Sequence, residues 1–192
     1  MRILHICNSD TNGGAARAAL NLCKSLRERN VDSDMFVQRK FSGYDFIHSA
    51  GNSFIPRMLN SSRIFADRLF SSVLANDYSD RFSFPHYGYR FLKSSFLKEY
   101  DILHLHWINE GFFSLGTLDQ LFDQDIPVVW TMHDMWPFTG GCHYSLECRK
   151  YETECTDCPA LRCVFKGALA NLMQLRKTAI YQSAELHFIS PS

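Results

Sequence analysis

A glycine pair, Gly13-Gly14, is the first feature of the sequence whose residue types suggest ligand chemistry. It follows the apolar run Ile3 to Cys7 and a short polar stretch, and a helical pattern begins directly after it. Glycine lets backbone N–H groups approach a ligand closely, and a helix N-terminus favours an anion such as phosphate. The alternative is that the glycines only make a tight turn. The dinucleotide fingerprint G-x-G-x-x-G is missing, because the segment reads Gly-Gly-Ala-Ala-Arg.

Cysteines form the second feature, because five of the seven crowd into one loop-like segment. Four of them are separated by five, six and two residues: Cys142, Cys148, Cys155 and Cys158. Four thiolates can hold a tetrahedral zinc ion, and its binding would fold a loop that has few apolar residues. Cys163 could replace one ligand, and His143 is a weaker substitute. Free thiols or a redox pair are the alternatives to a structural zinc site.

Alternating strand and helix patterns must position these residues. Apolar runs predict five strands, at Ile3 to Cys7, Asp34 to Gln38, Asp101 to His106, Pro127 to His133 and Glu185 to Ser190. Helical patterns separate them, beginning with a stripe at Ala15, Ala19, Leu22 and Leu26 and continuing at Phe91 to Glu99, Ser114 to Phe122 and Lys166 to Gln182. This alternation predicts an α/β fold with a doubly wound, mainly parallel Rossmann-like sheet.

Ligands of such a sheet bind beyond the carboxyl ends of its strands. Polar and aromatic residues follow three of the predicted strands, at Asn8 to Gly14, His106 to Gly111 and His133 to Pro137. We therefore expect a binding site where these three segments meet.

Composition limits the classes of function. The 192 residues are 46% hydrophobic, enough for the core of one domain. Twenty basic and twenty acidic residues are spread along the chain, so a nucleic-acid partner is not expected. The N-terminus turns polar too early for a signal peptide or a membrane span, which predicts a cytoplasmic protein with reduced cysteines.

Four segments carry a resemblance to a known family: the glycine loop with the following Ala-Ala-Arg-Ala-Ala-Leu, residues 101–111, residues 130–144, and residues 188–192. They are similar to the N-terminal domain of family 4 glycosyltransferases, especially those that work on colanic-acid-like and capsular polysaccharides. The resemblance implies the N-terminal, mainly acceptor-binding half of a GT-B architecture. It also implies a hexosyltransferase that acts with retention of configuration and needs no cofactor for catalysis.

The resemblance also assigns roles to residues. Gly13 and Gly14 would face the donor diphosphate, and His133 would lie beside the donor sugar. An imidazole there can hydrogen-bond a hydroxyl and stabilise an oxocarbenium-like transition state. The alternative for His133 is structural packing against Trp136. Asp134 either orients the His133 imidazole as part of the catalytic site or caps the following turn.

Three further residues would line the acceptor side: His106, Trp107 and Asn109. Trp107 offers an apolar face to a sugar ring, unless it is core, and Asn109 offers hydrogen bonds to hydroxyls. Arg17, one turn into the first helix, either pairs with a phosphate or is a solvated surface charge.

The expected reaction moves a sugar from a nucleotide-sugar donor to a glycan or polyprenyl-linked acceptor, in capsule or exopolysaccharide biosynthesis. The family's nucleotide-sugar domain would begin after Ser192, so we expect residues 1–192 to be a single domain that is inactive alone. A stand-alone glycan- or nucleotide-binding module is the alternative, and an inverting enzyme could use Asp10 as its base. A nicotinamide-dependent oxidoreductase lacks its fingerprint.

One amphipathic helix is predicted at Phe54 to Leu74. Its apolar positions fall at helical spacing: Ile55, Met58, Leu59, Phe65, Leu69 and Val73. Such a stripe usually packs on the core of a soluble domain. The flanking Arg57, Arg63 and Arg68 allow an alternative, peripheral contact with anionic lipid at the inner face of the cell membrane.

Overall fold

A parallel sheet is the centre of the fold in the computed structural model, which describes residues 1–49, 54–76, 82–86, 88, 94–162, 168–182 and 184–191. Its strands are β1 (Arg2–Ser9), β2 (Asp32–Arg39), β3 (Ile47–Ser49), β4 (Ile102–Leu105), β5 (Val128–Thr131) and β6 (Leu186–Ile189). They lie in the order β3-β2-β1-β4-β5-β6, and every neighbouring pair is parallel. The strand order reverses between β1 and β4, and the carboxyl ends on either side of that point form a crevice.

Helices cover the sheet. They are α1 (Gly14–Glu28), α2 (Phe54–Leu74), α3 (Ser94–Leu97), α4 (Leu115–Phe122) and α5 (Leu169–Gln182), with 3-10 turns at Trp136–Phe138 and Lys150–Glu152. Ser114 starts α4 with a capping box, in which Ser114 and Thr117 each accept the other's backbone N–H. The largest buried cluster packs α4 and α5 against β4 and β5 around Leu103, Leu118 and Trp130.

The predicted fold class is confirmed, with one strand added. All five predicted strands are present with shifts of one or two residues at their ends, and β3 is the strand that the sequence pattern missed. It has three residues and pairs only with the edge of β2 among the described residues, so it offers too short a run for periodicity to detect. Residues 91–93 and 166–167, predicted to be helical, lie outside the described residues.

The buried stripe of α1 differs from the predicted one. Ala16, Ala19, Leu20 and Cys23 are buried, whereas Leu22 is exposed. The predicted stripe was therefore correct at Ala19 and displaced around the helix elsewhere. Small side chains on the buried face allow α1 to lie close to β1 and β2, in a cluster with Cys7, Met35 and Val37.

The helix α2 has the predicted bounds but presents the opposite face to the core. Its buried positions include the polar residues Asn60, Asp67 and Ser71. Large apolar side chains face outward instead, with Met58 60%, Phe65 68%, Leu69 51% and Val73 56% exposed. The expectation that the apolar stripe packs on the core is therefore wrong for these residues. The side chains of Ile55 and Arg57 lie outside the described part of the structure.

Candidate glycosyl-transfer site

A cavity of about 550 Å³ lies in the crevice at the carboxyl ends of β1, β4 and β5. Three loops supply most of its lining, as the strand order requires. The residues that line it are Asn8, Asn12, Gly13, Gly14, Ala15, Ala16, Arg39, Trp107, Glu110, His133, Asp134, His143 and Tyr144. The structure thus brings together five of the sequence-predicted site residues, namely Gly13, Gly14, Trp107, His133 and Asp134.

The glycine loop ends in a helix N-terminus that faces this cavity. Gly13 is the N-cap of α1, with φ of +100°, and no side chain caps the helix. The first intrahelical bond that uses the Gly13 carbonyl comes from the N–H of Arg17. The preceding N–H groups at Gly14, Ala15 and Ala16 therefore lie at a positive helix end that lines the cavity, the usual arrangement for binding an anion.

His133 is held by a second histidine rather than by its neighbour Asp134. Its Nε2 lies 3.1 Å from Nδ1 of His106, and the two rings stack at 5.4 Å. Burial lowers the pKa of His133 below its usual value, so its imidazole is neutral at pH 7. No ring contact joins His133 to Trp136 among the described residues, so the predicted alternative of packing against Trp136 finds no support.

Asp134 is a fixed acceptor. Its Oδ1 accepts the N–H of Trp136, and its Oδ2 accepts Nε1–H of Trp107 at 2.7 Å and Nδ1–H of His143 at 2.6 Å. Burial by itself would raise the pKa of this carboxyl, but these hydrogen bonds outweigh it and the pKa falls below its usual value. Of the two predicted roles, the bond to the N–H of Trp136 is of the capping kind, and among the described residues no hydrogen bond joins Asp134 to His133.

His143 and Trp107 are positioned through Asp134. His143 also contacts the hydroxyl of Ser83 at 2.8 Å, and its ring packs against Trp107 at 5.7 Å. Trp107 is half-buried and lines the cavity with part of its ring. Both nitrogens of His143 are therefore engaged, which removes it as a ready substitute in a metal site.

An ion-pair network that the sequence analysis missed closes one side of the cavity. Glu110 accepts from Arg39 at 2.8 Å and from Arg68 at 3.0 Å, and Asn8 lies 3.5 Å from the same carboxylate. Arg39 is the one cationic side chain that lines this cavity in the described structure. The sequence does contain a signal for Arg39 as a site residue, because Arg39 directly follows the predicted second strand and so lies at the same edge of the sheet.

Several predicted site residues lie elsewhere. His106 and Asn109 are buried and do not line the cavity, so in the described part of the structure His106 is linked to the crevice through His133. Arg17 is exposed on α1 and does not line the cavity, which fits a solvated surface charge. Asp10 is fully buried and accepts the backbone N–H groups of Phe41 and Ser42, which ties up the carboxylate that an inverting enzyme could have used.

The cysteine segment lies beside the crevice, and its described thiols are free. Cys142 and Cys158 interact through their thiol groups, and this interaction lowers the pKa of Cys158 to about 7. Sγ of Cys155 accepts the N–H of Gly140 at 3.2 Å. Among the described residues, however, no three of these sulfurs lie within 4.8 Å of one another. Cys163 lies outside the described residues.

Lys177 is a buried residue that links this segment to α5. It is 1% exposed, and its Nζ donates to the carbonyls of Trp136 at 2.6 Å and Thr139 at 3.0 Å. Burial lowers its pKa to about 7. The sequence gives no signal for its burial, because a lysine on a helix is normally solvated. Lys177 therefore fastens the loop that carries His133 and Asp134 to the body of the domain.

Comparison with known proteins decides the family. Residues 12–154, well over half of the chain, match the model of Glycosyltransferase Family 4. The chain belongs to glycosyltransferase family 4. The resemblance inferred from the sequence is thereby confirmed, and the match contains every residue that lines the crevice except Asn8.

A curated relative narrows the comparison. The chain is 25% identical over 169 residues to the glycosyl transferase WcaC of Escherichia coli (strain K12), whose name refers to colanic acid biosynthesis. The aligned part covers 84% of this chain and 40% of WcaC, so the chain spans less than half of that family 4 relative. No solved structure matches the chain significantly.

Proposed function

We propose that the crevice is the acceptor-side half of a site that transfers a hexosyl group from a nucleotide-sugar to a glycan or polyprenyl-linked acceptor. The observation that carries the proposal is the shared cavity of the Gly13-Gly14 helix end and His133 in a family 4 chain. One feature suits a diphosphate and the other suits a sugar. The likeness to WcaC, whose name refers to colanic acid biosynthesis, supports a place in polysaccharide biosynthesis. As part of this proposal, we place the enzyme on the cytoplasmic side of the membrane.

The donor diphosphate would meet the backbone N–H groups that begin α1. A phosphate oxygen there gains the field of the helix and hydrogen bonds that no side chain supplies. Arg39 adds a positive charge in the same cavity, and its bond to Glu110 leaves the guanidinium partly exposed. We therefore propose Arg39, rather than Arg17, as the cation that this domain offers to the diphosphate.

The sugars would lie between His133 and Trp107. His133 provides a neutral imidazole, and Trp107 provides an aromatic face whose tilt is fixed by its bond to Asp134. Asn8, Asn12 and Tyr144 supply further hydrogen-bonding groups around the same cavity.

A retaining outcome is the stereochemistry that the carboxylates favour. Two carboxylates line the cavity in the described structure, Glu110 and Asp134, and both are engaged by several donors. With Asp10 also bound to backbone N–H groups, these three carboxylates are poorly placed to act as a general base. This supports proton uptake by the leaving phosphate, as in retaining members of the family.

The outward apolar face of α2 suits a membrane-bound acceptor. Met58, Phe65, Leu69 and Val73 lie on one side of the helix and are each more than half exposed. Arg68, on the same helix, is exposed and pairs with Glu110 at 3.0 Å. We propose that the face rests on the surface of an anionic bilayer, which would bring a polyprenyl-linked acceptor to the crevice. No helix of the described residues is long and apolar enough to cross a membrane.

A structural zinc ion in the cysteine segment is a further proposal, independent of catalysis. Cys142, Cys148, Cys155 and Cys158 interact electrostatically, and two of the sulfurs accept backbone N–H groups, as metal-bound thiolates commonly do. Binding requires the sulfurs to approach to about 2.3 Å from one centre. A cavity of about 620 Å³ lined by Cys142, Cys148 and the loop between them leaves room for that movement.

A donor screen tests the proposed function. The natural gene product that carries this chain is incubated with UDP-hexoses and GDP-hexoses, with and without a polyprenyl-diphosphate-linked sugar, and nucleoside diphosphate release is measured. We expect acceptor-dependent release from one donor and an α-linked product from an α-linked donor. Binding of a donor without any release would favour the stand-alone binding module, and a product of inverted configuration would contradict retention.

A further inference from the structure

Three histidines form a hydrogen-bonded chain from the centre of the sheet to the crevice. Nδ1 of His5, on β1, lies 3.1 Å from Nε2 of His106, and Nδ1 of His106 lies 3.1 Å from Nε2 of His133. His5 is fully buried and His106 is 3% exposed, while His133 lines the cavity. This row of histidines ends at His5, because Nε2 of His5 has no hydrogen-bond partner among the described residues.

All three imidazoles are neutral at pH 7. Burial lowers the pKa of His5 to about 3, the pKa of His106 well below its usual value, and the pKa of His133 as well. Each ring therefore carries one N–H, and each of the two hydrogen bonds contains one proton. Only two arrangements satisfy both bonds, and they differ in the direction in which every ring donates.

In the outward arrangement each ring donates toward the crevice. His5 carries its proton on Nδ1 and donates to His106, which carries its proton on Nδ1 and donates to Nε2 of His133. The proton of His133 is then on Nδ1. In the inward arrangement every proton is on Nε2, and the Nε2–H of His5 points into the core with no acceptor.

The unpartnered Nε2 of His5 decides between the outward and the inward arrangement. A buried N–H without an acceptor is a rare and costly defect, whereas an acceptor nitrogen without a donor is tolerated better. The outward arrangement leaves only an unpaired acceptor at His5, so it is favoured. The direction of donation in both hydrogen bonds is thus fixed at His5, although only His133 reaches the ligand.

We propose that His5 and His106 are positioning residues that hold His133 in its Nδ1–H tautomer, so that His133 offers the ligand a hydrogen-bond donor. This proposal rests on the proposed function, because the ligand of the crevice is taken to be a donor substrate with a sugar or phosphate oxygen near His133. In this tautomer Nε2 of His133 is occupied and Nδ1 is already protonated. His133 therefore does not act as a general base, and a hydroxyl or phosphate oxygen that accepts Nδ1–H is its partner.

His104 is the natural control. Its ring stacks on His106 at 4.3 Å, but its Nε2 bonds to the hydroxyl of Thr131 and not to any of the three histidines. His5, His104 and His106 also form the one set of three potential metal-ligand side chains, within 4.8 Å of one another, in the described structure. A metal ion there would need one nitrogen of His106, and both of these are already engaged, by His5 and by His133, so the metal competes directly with the proposed arrangement.

Histidine-labelled protein tests the tautomer by long-range ¹H–¹⁵N correlation NMR at pH 7, a readout that needs no substrate. We expect His133 to show a protonated Nδ1 and an unprotonated Nε2, with this tautomer at least about tenfold in excess. In His106→Phe the excess should fall toward parity, since Nε2 of His133 loses its donor. In His104→Phe it should remain.

The wild-type spectrum alone can overturn the proposal, even where a variant fails to fold. A wild-type His133 protonated on Nε2, or an equal loss of the tautomer excess in His104→Phe, contradicts it. So does zinc bound at one equivalent and lost in His104→Phe. Failure of the donor screen with the expected tautomer intact would reject the proposed function but not the histidine chain.

Discussion

Gly13 and Gly14 have different reasons to be glycine. Gly13 has φ of +100°, a conformation that residues with side chains rarely adopt, so the turn itself requires it. Gly14 is helical, and a Cβ added to it would meet no atom within 4 Å. Neither the turn nor the packing requires glycine at position 14. Close approach of a ligand is the remaining reason, because Gly14 lines the crevice.

Alanine substitutions separate these reasons. Gly13→Ala should lower the free energy of unfolding by about 1–3 kcal/mol, because φ of +100° with ψ of 169° is a conformation that is essentially restricted to glycine. Gly14→Ala should leave stability unchanged or raise it by up to about 1 kcal/mol, since alanine favours the helix. Thermal denaturation measures both. In the natural gene product, Gly14→Ala should raise the donor KM, and an unchanged KM would leave the tight turn as the only role of the pair.

Residue types at strand ends could be predicted, but their partners could not. The apolar run that ends at His133 predicts a position at the sheet edge, and the structure places His133 at the crevice. That His106 rather than Asp134 orients it depends on the register of β4 and β5, which sequence spacing does not reveal. Sequence spacing gives Glu110 no role, because its two arginine partners come from the distant elements β2 and α2.

At the scale of elements, α2 shows how tertiary context overrides amphipathicity. Its apolar stripe was detected correctly, yet the opposite side, with Asn60, Asp67 and Ser71, faces the protein. Periodicity identifies the two faces of a helix. It does not reveal which face meets the core when another surface can cover the apolar one. Burying the polar face carries an electrostatic cost at Asp67, where burial, together with the nearby Glu110, raises the pKa of the carboxyl to about 7.

This raised pKa gives a pH dependence of stability. The unfolded chain releases the Asp67 proton near pH 4, whereas the folded chain keeps it until about pH 7. Between these values the folded state binds more protons, so this group lowers the free energy of unfolding as the pH rises. Relative to wild type, Asp67→Asn should therefore gain about 2–4 kcal/mol between pH 4 and pH 8. Urea denaturation at the two pH values measures it, and a pH-independent difference would contradict the assignment.

Membrane docking of α2 is tested by vesicle flotation. The protein should float with vesicles that contain anionic phospholipid and stay behind with vesicles of neutral phospholipid at low salt. Phe65→Ser with Leu69→Ser should abolish flotation, because about 1.5–3 kcal/mol of burial is lost for each side chain. Phe41→Ser, an exposed aromatic outside α2, is the matched control. Binding that survives the double substitution would contradict docking through this face of α2.

The proposed zinc site in the cysteine segment is tested by the metal content of the protein. Protein purified without chelator should contain about one zinc per chain, and Cys158→Ser should lose it together with part of the thermal stability. Cys23→Ser is the matched control, since that thiol lies on α1 and bonds to the carbonyl of Ser33. Metal-free wild-type protein, or zinc retained in Cys158→Ser, would leave free thiols or a redox pair as the remaining alternatives.

At the scale of the molecule, the fold follows from the sequence because the buried strands of a parallel sheet leave strong apolar runs. The crevice follows from the strand order, which brings the loops after β1, β4 and β5 to one edge. Lys177 shows what such patterns do not reveal. A lysine on a helix is normally solvated, and only the packing of α5 against the 3-10 turn at Trp136–Phe138 buries it.

The central claim, that this crevice performs glycosyl transfer, is tested most directly by the turnover of His133→Ala in the natural gene product. Loss of one group that stabilises the transition state should lower kcat by roughly 10²- to 10⁴-fold with the fold intact. The exposed His187 provides a matched control, and His187→Ala should keep wild-type turnover. Equal turnover in all three proteins would contradict the account and leave His133 with a structural role only.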